Sequence, residues 1–318
     1  MTPSLPASIP TRRRTWLRAA LLALPAIVFL WYFKVPALAF HWAAIQIEGG
    51  PNPATAIRVS DYRVGIERQP IEGLDRNASG LTFNDQRGTL FTVINRPPQV
   101  AELDTEGRLL RRIEIQGLKD PEGITYVEGD TYVISDEASH SLYWVEIGPD
   151  TRTLSVADAS RLTLGMDVVN NASLEGVSWD ARGQRLFVVK EKLPLRVLVI
   201  TGLEAARRKP GFNVAINEWK PSTASTLFMS DLSSLTLHEP TGHMLLLSEQ
   251  SALIVEYDPQ GKPVDLLPLW RGFHGLGTKV PQPEGVAMGH DGSLFVLSEP
   301  NYFYRFDPPA RPGWARPD

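Results

Sequence analysis

Glu122-Gly123-Ile124-Thr125-Tyr126, a turn, and Thr131-Tyr132-Val133-Ile134-Ser135 form one unit of a pattern that recurs along the chain. Each half is a short run of β-branched, aromatic and aliphatic residues, and Gly and Asp separate the halves, as in an antiparallel hairpin. Upstream, Ser79-Gly80-Leu81-Thr82-Phe83 leads to Leu90–Ile94. Downstream, Glu175-Gly176-Val177-Ser178-Trp179 leads to Leu186–Lys190, Ser233-Ser234-Leu235-Thr236-Leu237 to Met244–Ser248, and Glu284-Gly285-Val286-Ala287-Met288 to Leu294–Ser298. Successive copies start 43, 53, 58 and 51 residues apart. A third apolar run follows in every copy, and two copies show a fourth, Leu109–Ile115 and Val264–Leu269.

Antiparallel strands in groups of four at such a period predict an all-β, five-bladed β-propeller. Six blades, the alternative, would require a degenerate copy that the sequence does not display. The last copy ends after its third strand at Pro308-Pro309, so Ala56–Glu67 is expected to return as its outer strand and close the ring without an exposed edge.

The propeller is thus expected over 56–307, before a Pro-rich tail at 308–318 and after a Pro/Gly linker at 48–55. Ahead of the linker, residues 1–47 carry Arg12, Arg13, Arg14, Arg18 and Lys34 and no acid, whereas the rest of the chain holds 27 basic and 36 acidic residues. Residues 1–15 read as a basic cytoplasmic leader. Residues 16–47 read as one transmembrane helix or signal anchor, with the uncharged run Ala19–Phe33 at its centre and Trp16, Trp31 and Tyr32 suited to the interfaces. Positive charge ahead of the span places the body outside the inner membrane, in a periplasm. Ala37-Leu38-Ala39 also has the small-x-small form of a signal-peptidase site, so cleavage before Phe40 and secretion to the periplasm is the alternative fate.

Composition limits the chemistry. With no cysteine among 318 residues, disulfides, thiolate-bound metals and thiol nucleophiles are all excluded. The net negative body is unsuited to nucleic acid, which needs clustered Lys and Arg. The six histidines are scattered over different loops, with no zincin motif, and no Gly-x-Ser-x-Gly elbow occurs. His274, in the glycine-rich loop before the last copy, is the histidine best placed to overhang a channel, although packing of that loop is the simpler role. Tyr126, Trp144, Trp179 and Tyr257 read as core between blades, and Arg111-Arg112 as a solvated patch.

The run from Asp61 through Glu137, and later Asp231–Val264 and Pro283–Asn301 with their repeated Ser/Glu-Gly and Ser-Glu steps, resemble the SdiA-regulated family over nearly the entire body. The resemblance implies an N-terminal membrane segment followed by a five-bladed propeller related to NHL-repeat proteins, with a calcium ion at one face. It implies no particular activity.

Alignment of the copies gives two rings. Ser79, Glu122, Glu175, Ser233 and Glu284 begin the innermost strands; Asn95, Asp136, Glu191, Glu249 and Glu299 follow the second strands. Equivalent positions in a propeller share radius and height, so each set is expected around the central channel. Converging carboxylates repel unless a cation joins them, and calcium accepts six to eight oxygen ligands with loose geometry. Glu122, Glu175 and Glu284 are the first candidates for ligands, and Asn95, Asp136 and Glu249 the second. The competing reading is that Glu-Gly only starts a strand, with glycine answering a backbone need. Expected function is a calcium-dependent binding or scaffold domain for an unknown small molecule or protein. The alternative is a calcium-dependent hydrolase, a lactonase or phytase-like esterase, using a channel carboxylate as base.

Overall fold

The computed structural model describes residues 11–32, 34–165, 174–191, 194–203, 214–219 and 227–309. Strand β1 (Arg63–Pro70) precedes the repeats. The first blade takes β2 (Ala78–Asn84), β3 (Thr89–Asn95), β4 (Pro98–Leu103) and β5 (Leu109–Gln116); the second takes β6 (Pro121–Glu128), β7 (Thr131–Asp136) and β8 (Ser141–Glu146). After β9 (Thr153–Ser155), the second blade is finished by β10 (Arg161–Thr163). The third consists of β11 (Leu174–Asp180), β12 (Arg185–Lys190), β13 (Arg196–Thr201) and β14 (Ala215–Glu218). The fourth consists of β15 (Ser234–His238), β16 (His243–Ser248), β17 (Leu253–Tyr257) and β18 (Pro263–Pro268). In the fifth, β19 (Pro283–Met288), β20 (Leu294–Ser298) and β21 (Tyr302–Asp307) are completed by β1, antiparallel to β21. The chain therefore forms a five-bladed propeller, closed from its N-terminal side by a strand that begins at Arg63 instead of Ala56. Strand β9 has no counterpart in the repeats: it adds in parallel to β5 as a fifth strand of the first blade.

Every residue of β2 and β11 is buried, because an inner strand has a neighbouring blade on each side. That is why these strands read as short continuous runs and not as alternating patterns. Glycine at the second motif position is a packing requirement. A Cβ at Gly123 would lie 2.3 Å from the carbonyl oxygen of Glu175, and one at Gly176 would lie 2.7 Å from Cα of Ser234. Inner strands thus meet backbone to backbone. Pairing register slips at the same step, between Ser79 and Thr82, Pro121 and Gly123, Leu174 and Val177, and Pro283 and Gly285. Such bulges bend a strand end and re-aim its side chains. In the fourth blade Ser234 replaces glycine, and the register is unbroken. The fourth motif residue then ties blades together: the hydroxyls of Thr82, Thr125 and Ser178 accept the amides of Tyr126, Trp179 and Leu237 at 3.0, 3.0 and 3.1 Å.

Trp144 and Trp179 share one buried cluster, and Tyr257 is fully buried in another, as expected. Arg111 departs from expectation. Its guanidinium pairs with Glu102 at 2.5 Å and donates to the carbonyls of Gly148, Pro149 and Thr151, joining the first blade to the second, while Arg112 is exposed.

In place of one helix over 16–47 there are two, α1 (Thr11–Tyr32) and α2 (Val35–Ile47), and the apolar stretches 23–32 and 35–47 are bent by 58°. Among the described residues no single helix is long and apolar enough to cross a membrane, whereas this bent pair together has the length and composition. Helix α2 packs on the fourth blade through Ala37, Leu38 and Ile45, and His41 stacks on Phe228 with ring centroids 4.3 Å apart. The following segment is fastened by fully buried Glu256, which accepts the amides of Ile57 and Arg58 at 2.7 and 2.9 Å and meets His243 Nδ1 at 2.6 Å.

Gly123→Ala is expected to cost about 2 kcal/mol or more by overpacking, which for a domain of this size lowers Tm by about 4–8 °C. Gly165→Ala, where a Cβ meets nothing within 4 Å, is the control and leaves Tm unchanged in calorimetry.

Candidate metal centre

The bulged starts of the inner strands and the turns after the second strands open onto one cavity of about 280 Å³. All five residues of the first ring line it: Ser79, Glu122, Glu175, Ser233 and Glu284. From the second ring Asn95, Glu191, Glu249 and Glu299 join them. Five of the six ligand candidates are thus brought together, and Asp136 is not. Its carboxylate is buried and committed to the backbone, accepting the amides of Lys119, Asp120 and Ser139 at 2.9, 2.8 and 3.1 Å. It caps the 3-10 turn Glu137–Ser139, and Glu137, the first residue of that turn, lines the cavity instead. Serine in the first and fourth blades serves the blade contact: Ser79 donates to the carbonyl of Glu122 and Ser233 to that of Pro283, both at 2.9 Å.

Besides Glu137, two lining residues escape the two-ring alignment, Asp231 and Gln282. Each stands two positions before its ring residue, where the first and second copies carry Asn77 and Asp120. A polar residue at that spacing is the signal that identifies them; the third copy's equivalent, Ser173, lies outside the described residues. His274 does not overhang the cavity: its carbonyl accepts the amide of Val64 at 2.9 Å, and its ring faces the Tyr62 carbonyl.

Eight carboxylates line the cavity, and their electrostatics follow from burial first and mutual repulsion second. Burial pushes the Glu284 carboxyl up to about 9, with Glu249 and Glu299 adding to the effect. Glu122 is pushed up to about 7 by burial, against the hydrogen bond from Asn95 that favours its charged form. Glu175, the deepest, is raised well above the carboxylate range by burial and by Glu122 and Glu191. Glu249 and Glu299 are also raised by burial.

Toward the second blade the acids draw closest. One carboxylate oxygen each from Asp120, Glu122 and Glu137 lies within 4.8 Å of the others. Oδ1 of Asp120 is buried without a hydrogen-bond partner, a costly state for an oxygen acceptor. Asn95 donates to Glu122 Oε1 at 3.0 Å and accepts from Asn77 at 2.7 Å, which fixes the Glu122 carboxylate in place. The donors are all oxygen, so the set fits a hard divalent cation and not one that needs sulfur or imidazole.

Fold and cavity define a five-bladed propeller with an acidic axial site. The chain belongs to the SdiA-regulated family, which it matches over residues 54–307. Among solved structures it is similar to a gluconolactonase from Xanthomonas campestris (TM-score 0.51, 12% identity, 82% of this chain and 94% of that one). Weaker likenesses are to a luciferin-regenerating enzyme (TM-score 0.47, 11% identity, 74% and 92%) and to virginiamycin B lyase from Staphylococcus aureus (TM-score 0.40, 13% identity, 79% and 75%). These likenesses are of fold.

A carboxyl whose folded pKa exceeds its unfolded value stabilises the fold at low pH and loses that contribution as pH rises through the folded value. In chelator, Tm is therefore expected to fall between about pH 5 and pH 9 as Glu122 and then Glu284 are forced to ionise. Glu284→Gln keeps the neutral shape, so it flattens that fall and raises Tm at pH 8; scanning calorimetry across pH measures both.

Proposed function

We propose that the axial cavity binds calcium on its second-blade side, and that the propeller is a calcium-dependent binding or scaffold domain for a small molecule or protein. Glu122, Asp120 and Glu137 would hold the ion, and Glu175 and Glu284, whose pKa values burial raises in its absence, would give up protons as it binds. The observation that carries this reading is the convergence of eight carboxylates on 280 Å³, several of them raised in pKa, beside a buried Asp120 oxygen with no partner. Proton uptake or a cation relieves that repulsion, so calcium bound at neutral pH would displace protons from Glu284 and Glu122.

The N-terminal helices anchor the domain. Arginines 12, 13, 14 and 18 precede the apolar stretch, which favours a cytoplasmic N-terminus and a propeller at the periplasmic face of the inner membrane.

A second reading, a calcium-dependent hydrolase of lactones or phosphate esters, is favoured by Glu249, a lining carboxyl outside the group that would hold the ion. Burial raises its pKa, which strengthens it as an acceptor of a proton from water. Bound calcium would supply a Lewis acid for the ester oxygen.

Titration calorimetry of the intact protein is expected to show calcium binding that Glu122→Gln, Glu175→Gln and Glu284→Gln each weaken at least tenfold, with exposed Glu114→Gln as the unaffected control. Calcium at about a hundred times its Kd adds about 2.7 kcal/mol, or roughly 5–10 °C in Tm, reversed by chelator. No heat and no shift would overturn the metal reading. Turnover of lactone or phosphate-ester substrates that is lost on chelation would select the hydrolase over the scaffold.

A further inference from the structure

Helix α2 is apolar on both sides. One side, with Ala37, Leu38 and Ile45, is packed against the fourth blade. The other exposes Phe40, Trp42 and Ile47 at 68, 57 and 84% of their surface, with no charged residue between Val35 and Ile47. A soluble domain does not leave such a face to water without a partner. On α1, Leu24, Ile27 and Val28 are exposed too, and Trp31 and Tyr32 are exposed at its end, next to the bend. Aromatic rings of this kind concentrate where hydrocarbon meets headgroups.

We propose that α2 is an interfacial helix: its inner face is bonded to the propeller and its outer face lies at the headgroup–acyl boundary of the bilayer that holds α1, so that the fourth blade meets the membrane edge-on. This rests on the anchoring reading above. Both ends of α2 are tied to the propeller, so it does not continue the crossing. At its start the Lys34 ammonium donates to the Met229 carbonyl at 2.5 Å; just past its end Glu48 pairs with Lys262. Carrying α2 through hydrocarbon would take those charges and the adjoining blade with it, at prohibitive desolvation cost. The 58° bend lets α1 leave the membrane plane while α2 stays in it. One side buried in protein and one in lipid is also the arrangement that accounts for a helix with no polar face.

The chain contains no cysteine, so each introduced thiol is unique. Full-length Ile27→Cys, Val35→Cys, Ala39→Cys, Gln46→Cys and Ala138→Cys variants, labelled with a fluorophore and reconstituted in phosphatidylglycerol-containing vesicles, are read with lipids carrying quenchers at the headgroup or deep in the acyl chain. Labels at 35, 39 and 46 should be quenched from the headgroup to within a factor of two of one another, the label at 27 from the acyl chain, and the label at 138, on the second blade, by neither. Depth that increases steadily from 46 to 35 would make the pair one broken span and overturn the proposal. A label at 27 in lipid with 35, 39 and 46 in water would overturn it while leaving the anchor intact, and quenching at 138 would overturn the edge-on placement. If the label at 27 is also in water, the anchoring reading itself fails.

Discussion

Close approach of the inner strands is the constraint on which the propeller depends. Around the axis the strands meet so tightly that a single Cβ at Gly123 would fall 2.3 Å from a neighbouring carbonyl oxygen. Glycine permits the approach, and the bulge at that step lets the strand end turn while the rest of the strand stays in its sheet. The residue before the glycine is thereby brought to the channel. In three blades that residue is glutamate, so a packing device and a charge-concentrating device occupy the same dipeptide. The two readings of Glu-Gly, strand start and ligand ring, are therefore complementary: glycine sets the backbone, and the backbone delivers the carboxylate.

Delivery on this scale has a cost. Carboxylates forced together in a half-enclosed cavity are either protonated or partnered by a cation, because neither burial nor mutual repulsion favours bare charge. The raised pKa values of Glu122 and Glu284 express the first solution. The asymmetry of the rings favours a particular place for the second. Serine replaces glutamate in the first and fourth blades, where its hydroxyl is committed to a neighbour's carbonyl, but the fourth still contributes Asp231 and Glu249, so charge is weighted toward the four blades other than the first. Of those, the second blade adds Asp120 and Glu137 to its Glu122 and has Asn95 of the first blade beside it.

Most of the architecture was legible because repetition makes it so: five copies of one hairpin motif specify blade number, strand order and the residues that share a radius. What the alignment could not supply was local deviation from the repeat. Asp136 occupies its ring position in sequence, yet it caps the 3-10 turn that follows β7, and the turn moves the cavity role one residue on, to Glu137. Strand β9 pairs with a different blade from the chain segment that carries it, and no periodicity encodes that. Arg111 looked like surface because its partners, the carbonyls at 148, 149 and 151, are backbone atoms of another blade. Hydropathy alone could not divide 16–47 into two helices, since α2 is as apolar toward the propeller as toward the outside.

The fourth blade is where these deviations collect. It lacks the glycine and the bulge, so its inner strand runs in unbroken register, and it is the blade that receives α2 and holds residues 57–59 through buried Glu256 and His243. Its irregularity lies instead between the two outer strands, at Glu256 and Tyr257, where the incoming segment is held. The same chain segment then continues into β1 and closes the fifth blade. The N-terminal helices are thus tied to the fourth and fifth blades, whereas the close group of Asp120, Glu122 and Glu137 belongs to the second. At the tie itself Lys34 donates to the carbonyl of Met229, two residues before the cavity's Asp231, so the helices and the acidic cavity meet at the fourth blade.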